Sequence, residues 1–174
     1  MEPDETINRY FTKAFSSRRA FDRLYLLLRD YPDAAKLWFA VGEASVFLHG
    51  FSNRHTLAAR CFHVCLQIDP GFVAAHDRLG DWYYYLQRYF QAESQYRQAI
   101  EYGGGDMSRY CLSVVYATTG RLDDAFDQLD RCVDQTAEHI RDARLKFANG
   151  FFLHPGYLPI LRSTTIAHNV GKIG

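Results

Sequence analysis

The stretch Leu79-Gly80-Asp81-Trp82-Tyr83, continued by Ala92-Glu93-Ser94-Gln95-Tyr96-Arg97-Gln98-Ala99, decides the fold, because its apolar positions return further along the chain. Leu79, Tyr83, Ala92, Tyr96 and Ala99 recur as Leu112, Tyr116, Ala125, Leu129 and Cys132, each pair 33 positions apart. A constant offset of that size marks stacked units that bury their apolar faces against one another rather than around a central cleft. Within each copy the small and large apolar residues fall at helical spacing. Each copy therefore reads as two antiparallel helices. Gly80, Ala92 and Ala99 let them approach, and Tyr83 and Tyr96 fill the space between.

The frame extends in both directions. Downstream, Gly120 stands at the turn between two helices, where a left-handed backbone is needed. Upstream, Trp38, Val41 and Gly42 open a unit that Ala58, Phe62, Cys65 and Asp69-Pro70 close. Trp38 precedes His76 by 38 positions while Ala58 precedes Ala92 by 34, so this unit carries an insertion between its helices, placed at His49 to Arg54 and expected to protrude. A first, degenerate unit fits because Ala20, Leu27 and Pro32 precede Ala58, Cys65 and Pro70 by 38 positions each. Its first helix, about Thr6 to Ala14, lacks the Gly and the Tyr, as a terminal unit facing water should. Pro32, Pro70 and Gly103 to Gly105 punctuate the units. Asp106 reads as an N-cap. Glu138 to Asn149 alternates charge around Ile140, Leu145 and Phe147, the pattern of a solvating terminal helix that Gly150 ends. Gly150 to Leu161 is apolar and broken by Pro155, Gly156 and Pro159, and the stretch from Ser163 reads as flexible.

These motifs resemble the tetratricopeptide-repeat family over residues 1–136, most specifically over 73–135, with His76 standing where that family usually has Trp. The resemblance implies an all-α superhelix of three to four helical hairpins plus a C-terminal capping helix. Its repeat domain would span 1–150, with units at about 1–34, 35–72, 73–105 and 106–136 and the cap at 137–149. A separate, partly flexible segment, 151–174, would follow. In that family the first helix of each unit lines a concave groove that holds a peptide of a partner protein. Matched residue by residue, the partner-binding positions are Phe39, Glu43, Val46 and Phe47, then Asp77, Arg78, Asp81, Tyr84 and Tyr85, then Tyr110, Val114 and Thr118. Such an aromatic lining with acidic notes suits an extended or helical segment with apolar anchors. Trp82 to Tyr85 covers nearly all sides of one helical turn, so at least two of the four rings must be core. Repeat co-chaperones that grip acidic heat-shock chaperone C-termini use Lys, Asn and Arg where this chain has Phe39, Glu43, Arg78, Met107 and Cys111. One unit earlier it has Glu5, Arg9, Ala40, Ala74 and Arg78. That partner is not expected, since Glu43 would repel a carboxylate.

Composition narrows the rest. Of 174 residues 48% are hydrophobic, enough for one substantial domain. Twenty basic residues balance twenty acidic ones, so no net field draws the chain to nucleic acid or an anionic membrane. The acidic N-terminus does not resemble a secretory signal, and the apolar run Leu24 to Leu28 is too short for a bilayer, which points to the cytoplasm. Cys61, Cys65, Cys111 and Cys132 read as reduced thiols. Cys61-x-His63-x-Cys65 suggests zinc, but on a helix His63 points away from the two thiols, so no metal or other cofactor is expected. Asp77 and Asp81 share a helix face, yet no nucleophile, oxyanion donor or phosphate loop accompanies them, and the chain is read as non-catalytic. The basic cluster Arg18, Arg19 and Arg23 reads as a solvated face, with an acidic partner or RNA phosphates as the other reading. Function thus reads as a protein-interaction scaffold or adaptor. Two alternatives stay open: a regulatory fragment of a larger enzyme, and a homo-oligomer assembled through the C-terminal segment.

Overall fold

Repeats with small residues facing large ones should fold as helical hairpins, and among the residues described in the computed structural model, 3–15, 17–47 and 53–150, every regular element is helical. Four pairs and a single helix follow in order. They are α1 (Pro3–Ala14) and α2 (Arg18–Asp30), α3 (Ala35–Phe47) and α4 (Arg54–Ile68), α5 (Val73–Tyr85) and α6 (Tyr89–Glu101), α7 (Asp106–Thr118) and α8 (Leu122–Asp130), then α9 (Glu138–Ala148). The chain divides into two compact units, Met1–Leu79 and Gly80–Gly174, the division falling within α5.

In the first unit α1 packs on α2 and α3 on α4, and both α1 and α2 lie against α3. Leu24, Leu37, Val41 and Ala44 form its interior. Close packing depends on Gly42, where a Cβ would lie 2.6 Å from the ring of Phe62 on α4. In the second unit Gly80 faces Tyr96 on α6 in the same way, at 2.5 Å. There α7 packs on α6 and α8, and α9 covers α7 and α8 with Ile140, Ala143 and Phe147 buried. The C-terminal segment 151–174 lies outside the described residues, and the readings placed on it rest on sequence alone.

The connections follow the turn chemistry. At the end of α7, Gly120 has φ +80°, its N–H bonds the Ala117 carbonyl and the Arg121 N–H bonds Tyr116, so the last turn's free carbonyls are satisfied. Gly103 and Gly104 end α6 by the same pattern. After α5 the equivalent residue is Gln87, with φ +57°. Three residues separate α5 from α6 and α7 from α8, whereas residues 48–53 separate α3 from α4. The protruding insertion expected at His49 to Arg54 lies largely outside the described residues, which omit 48–52. Asp106 departs from expectation. Gly105 takes the N-cap position, and the Asp106 carboxylate instead accepts the N–H groups of Val133 and Asp134, both at 2.8 Å, holding the chain that leaves α8.

His76, the departure at the Trp position, is explained by its bond. Trp38 donates its indole N–H to the Pro32 carbonyl at 2.7 Å, and the His76 ring nitrogen lies 2.8 Å from the Pro70 carbonyl. Both side chains tie a first helix to the proline turn before it. The hydrogen bond, more than the size of the ring, is what the position requires.

Candidate functional site

The first-helix positions divide by unit and by burial. In the first unit, Glu43 on α3 is buried, and its carboxylate takes the guanidinium of Arg78 on α5 in a bidentate pair, Nε to Oε1 at 2.6 Å and Nη2 to Oε2 at 3.2 Å. A paired, hydrogen-bonded geometry of this kind is what lets a buried carboxylate persist. Phe39 is half-buried against Phe62 and Phe72, with ring centroids 5.6 and 5.0 Å away. Val46, Phe47 and Asp77 are half-buried too, Phe47 meeting Phe15 edge-on at 5.0 Å. The matching set in this unit is thus a partly open apolar strip beside an internally neutralised ion pair.

In the second unit most of the matched residues lie inside. Asp81 is buried and accepts the phenolic O–H of Tyr96 at 2.6 Å. Tyr84 is fully buried, its hydroxyl 2.8 Å from that of Thr118. Because Thr118 donates to the Val114 carbonyl at 2.7 Å, Tyr84 is the donor of that pair. Burial pushes both the Tyr84 and Tyr110 phenols above their ordinary range. Tyr110 meets His139 of α9 edge-on at 5.0 Å, and Val114 is buried. Only Tyr85, 52% exposed and stacked on Trp82, presents a ring to solvent, with Thr118 half-buried. Of the rings in the run Trp82 to Tyr85, Tyr84 belongs to the core and Tyr85 to the surface. Glu43, Asp81, Tyr84, Tyr110 and Val114 are thus buried in the packing, with Glu43 bonded to Arg78 and Tyr84 to Thr118.

The other chemistry that the sequence suggests is likewise located. Cys61 and Cys65 are buried while His63 is exposed, so the three do not converge. Burial raises these thiols to about 11 and about 12, and Cys132 to about 11, which leaves them as unreactive thiols at neutral pH. Among the described residues no group of three His, Cys, Asp or Glu is placed to hold a metal ion, and no helix is long and apolar enough to cross a membrane. A cleft that includes Arg18 of the basic cluster lies in the first unit. It measures about 690 Å³ and opens between α2 and α4, with Arg18 and Arg60 beside Phe21, Tyr25 and Leu57.

No family model and no curated protein matches this chain. A solved structure does: the crystal structure of a thermophilic tetratricopeptide-repeat (TPR) protein of Thermus thermophilus is similar, with a TM-score of 0.59 and 22% sequence identity. The match covers 78% of this chain and 73% of that one. At this identity the likeness speaks to the fold, in line with the run of helical pairs.

Proposed function

Starting from the tetratricopeptide-repeat fold, we propose that the chain is a non-catalytic scaffold that holds a peptide segment of another protein against the first helices of its hairpins. The observation that carries this reading is the pairing of that fold with an aromatic side chain left open on a first helix: Tyr85, half exposed and backed by Trp82. A ring held by a second ring gives contact area at small entropic cost, which is how aromatic anchors dominate binding. In the first unit Phe39, Val46 and Phe47 would supply apolar contacts. Asp77 and Arg78 would add polar ones, with Arg78 held in register by Glu43. The ligand this favours is a segment with spaced apolar anchors and little net charge.

The test is a peptide selected from a displayed library on the full chain, with affinity then measured by fluorescence anisotropy. Tyr85→Ala should weaken binding about tenfold and Val46→Ser several-fold, with cooperative thermal unfolding retained. A selected peptide that binds equally well to both variants would rule out the first-helix surface.

A further inference from the structure

We infer a second docking surface in the first unit: the cleft between α2 and α4 takes an acidic peptide segment bearing an apolar anchor. The two helices carry six arginines (Arg18, Arg19, Arg23 and Arg29 on α2, Arg54 and Arg60 on α4) against two aspartates, Asp22 and Asp30, in a chain whose formal net charge is zero. α4 contains no acidic residue at all. Six arginines against two aspartates leave an excess of four positive charges on this pair of second helices, which the rest of the chain offsets. The cleft between them measures about 690 Å³, a size suited to one or two side chains of a bound segment. Its walls hold Arg18 from α2 and Arg60 from α4. The one carboxylate in the lining, Asp22, accepts the Arg18 Nε–H at 2.8 Å.

The rest of the lining mixes the apolar side chains Phe21, Tyr25 and Leu57 with the polar Asn53 and Thr56. Phe21 is buried, Tyr25 stacks on it with centroids 6.0 Å apart while remaining 47% exposed, and Leu57 joins the lining from α4. Guanidinium groups sharing one cleft with an exposed aromatic match a ligand that carries carboxylates close to a Leu or Phe. A nucleic-acid backbone is the poorer fit. It would need a long track of cations, and its sequence-tolerant grip comes from rows of stacking rings, of which this cleft offers one. The site is separate from the first-helix surface: its lining comes from α2, from α4 and from Asn53, the residue before α4.

Fluorescence anisotropy with the full chain tests it, using a fluorescein-labelled peptide of Glu-Glu-Leu-Phe repeats. Binding should weaken several-fold between about 50 and about 300 mM salt. It should fall at least about tenfold in Arg18→Glu/Arg60→Glu, and stay unchanged in Tyr85→Ala. Both arginines are exposed, and a Glu at position 18 opens α2 where negative charge is favourable, so the variant should fold. Binding of a Lys-Lys-Leu-Phe peptide by that variant, but not by the native chain, would add support that a misfolded protein could not produce. Three results would overturn the inference: no binding of the acidic peptide by the native chain, equal binding by the double variant, or tighter binding of a single-stranded RNA oligonucleotide that the double substitution abolishes. Reversible self-association of the native chain in sedimentation, lost in the double variant, would overturn it too, by reassigning the cleft to a second copy.

Discussion

Hairpins α5–α6 and α7–α8 share a register of 33 residues yet fill the space between their helices by opposite means. In the first, Gly80 makes room for the ring of Tyr96, and the Tyr96 hydroxyl reaches the buried carboxylate of Asp81. In the second, those three positions are Ser113, Leu129 and Val114, all buried. The Ser113 hydroxyl turns back to the Tyr110 carbonyl at 2.6 Å, and two aliphatic side chains stand where the hydrogen-bonded pair was. What the two hairpins hold in common is volume at a register position. The chemistry filling that volume is free to change, provided it changes as a set, because a Tyr without its acceptor or an Asp without its donor would leave a buried polar group less satisfied.

The sharpest way to break this comparison is Gly80→Ala. The added methyl would sit 2.5 Å from the Tyr96 ring, and that ring is pinned by its hydrogen bond and fully buried. Overpacking of this kind should cost about 3 kcal/mol in chemical denaturation. In the background Asp81→Val/Tyr96→Leu, which copies the second hairpin, the same methyl should cost less than about 1 kcal/mol, since the ring is gone. An equal cost in both backgrounds would mean that something other than the ring demands the glycine. Next in size is Tyr96→Phe, which keeps the volume and removes only the donor. A hydrogen bond to a carboxylate in a buried site should make that loss about 2 kcal/mol by the same measurement. The corresponding aliphatic exchange Leu129→Met should cost under about 1.5 kcal/mol, because no polar partner waits there. A Tyr96→Phe cost below that of Leu129→Met would show that the Asp81 bond contributes little.

The same contrast explains which features are legible in the chain alone. Size requirements are written directly in residue types, so Gly42, Gly80, Ala92 and Ala99, with the prolines at 32 and 70, are enough to place the helices and their turns. Surface identity is harder to read. Trp82 to Tyr85 are four consecutive aromatics, and periodicity shows that some must be inside without showing which. The phase is decided by contacts such as Tyr84 with Thr118, 34 residues away. The Trp38 to His76 exchange looks like a lapse in the pattern because ring size differs, while the shared property is a nitrogen aimed at the carbonyl of the preceding proline. Asp106 misleads for a related reason: a carboxylate at a helix start can serve that helix or a loop from elsewhere, and the loop after α8 lies far along the chain. The α2–α4 cleft is half visible. Arg18, Arg19 and Arg23 stand out as a cluster, but Arg60, 42 positions after Arg18, joins it only through the packing of the first unit.

The mildest difference between the two hairpins is in their turns, and it cuts the other way. Gly120 and Gln87 occupy the same position after their first helices, with φ +80° and +57°, and their flanking N–H groups close the same pair of bonds. A left-handed conformation costs a side-chain-bearing residue about 1 kcal/mol, partly offset because glycine loses more freedom on folding. Gly120→Gln should therefore destabilise by about 0.5 kcal/mol, and Gln87→Gly should stabilise by a similar amount, raising the melting temperature by about 1–2 °C. Gln87 is exposed, so the substitution removes no buried contact. Should Gln87→Gly lower the melting temperature instead, the Gln87 side chain must be holding that turn, and the two turns would differ in mechanism despite their matching backbone.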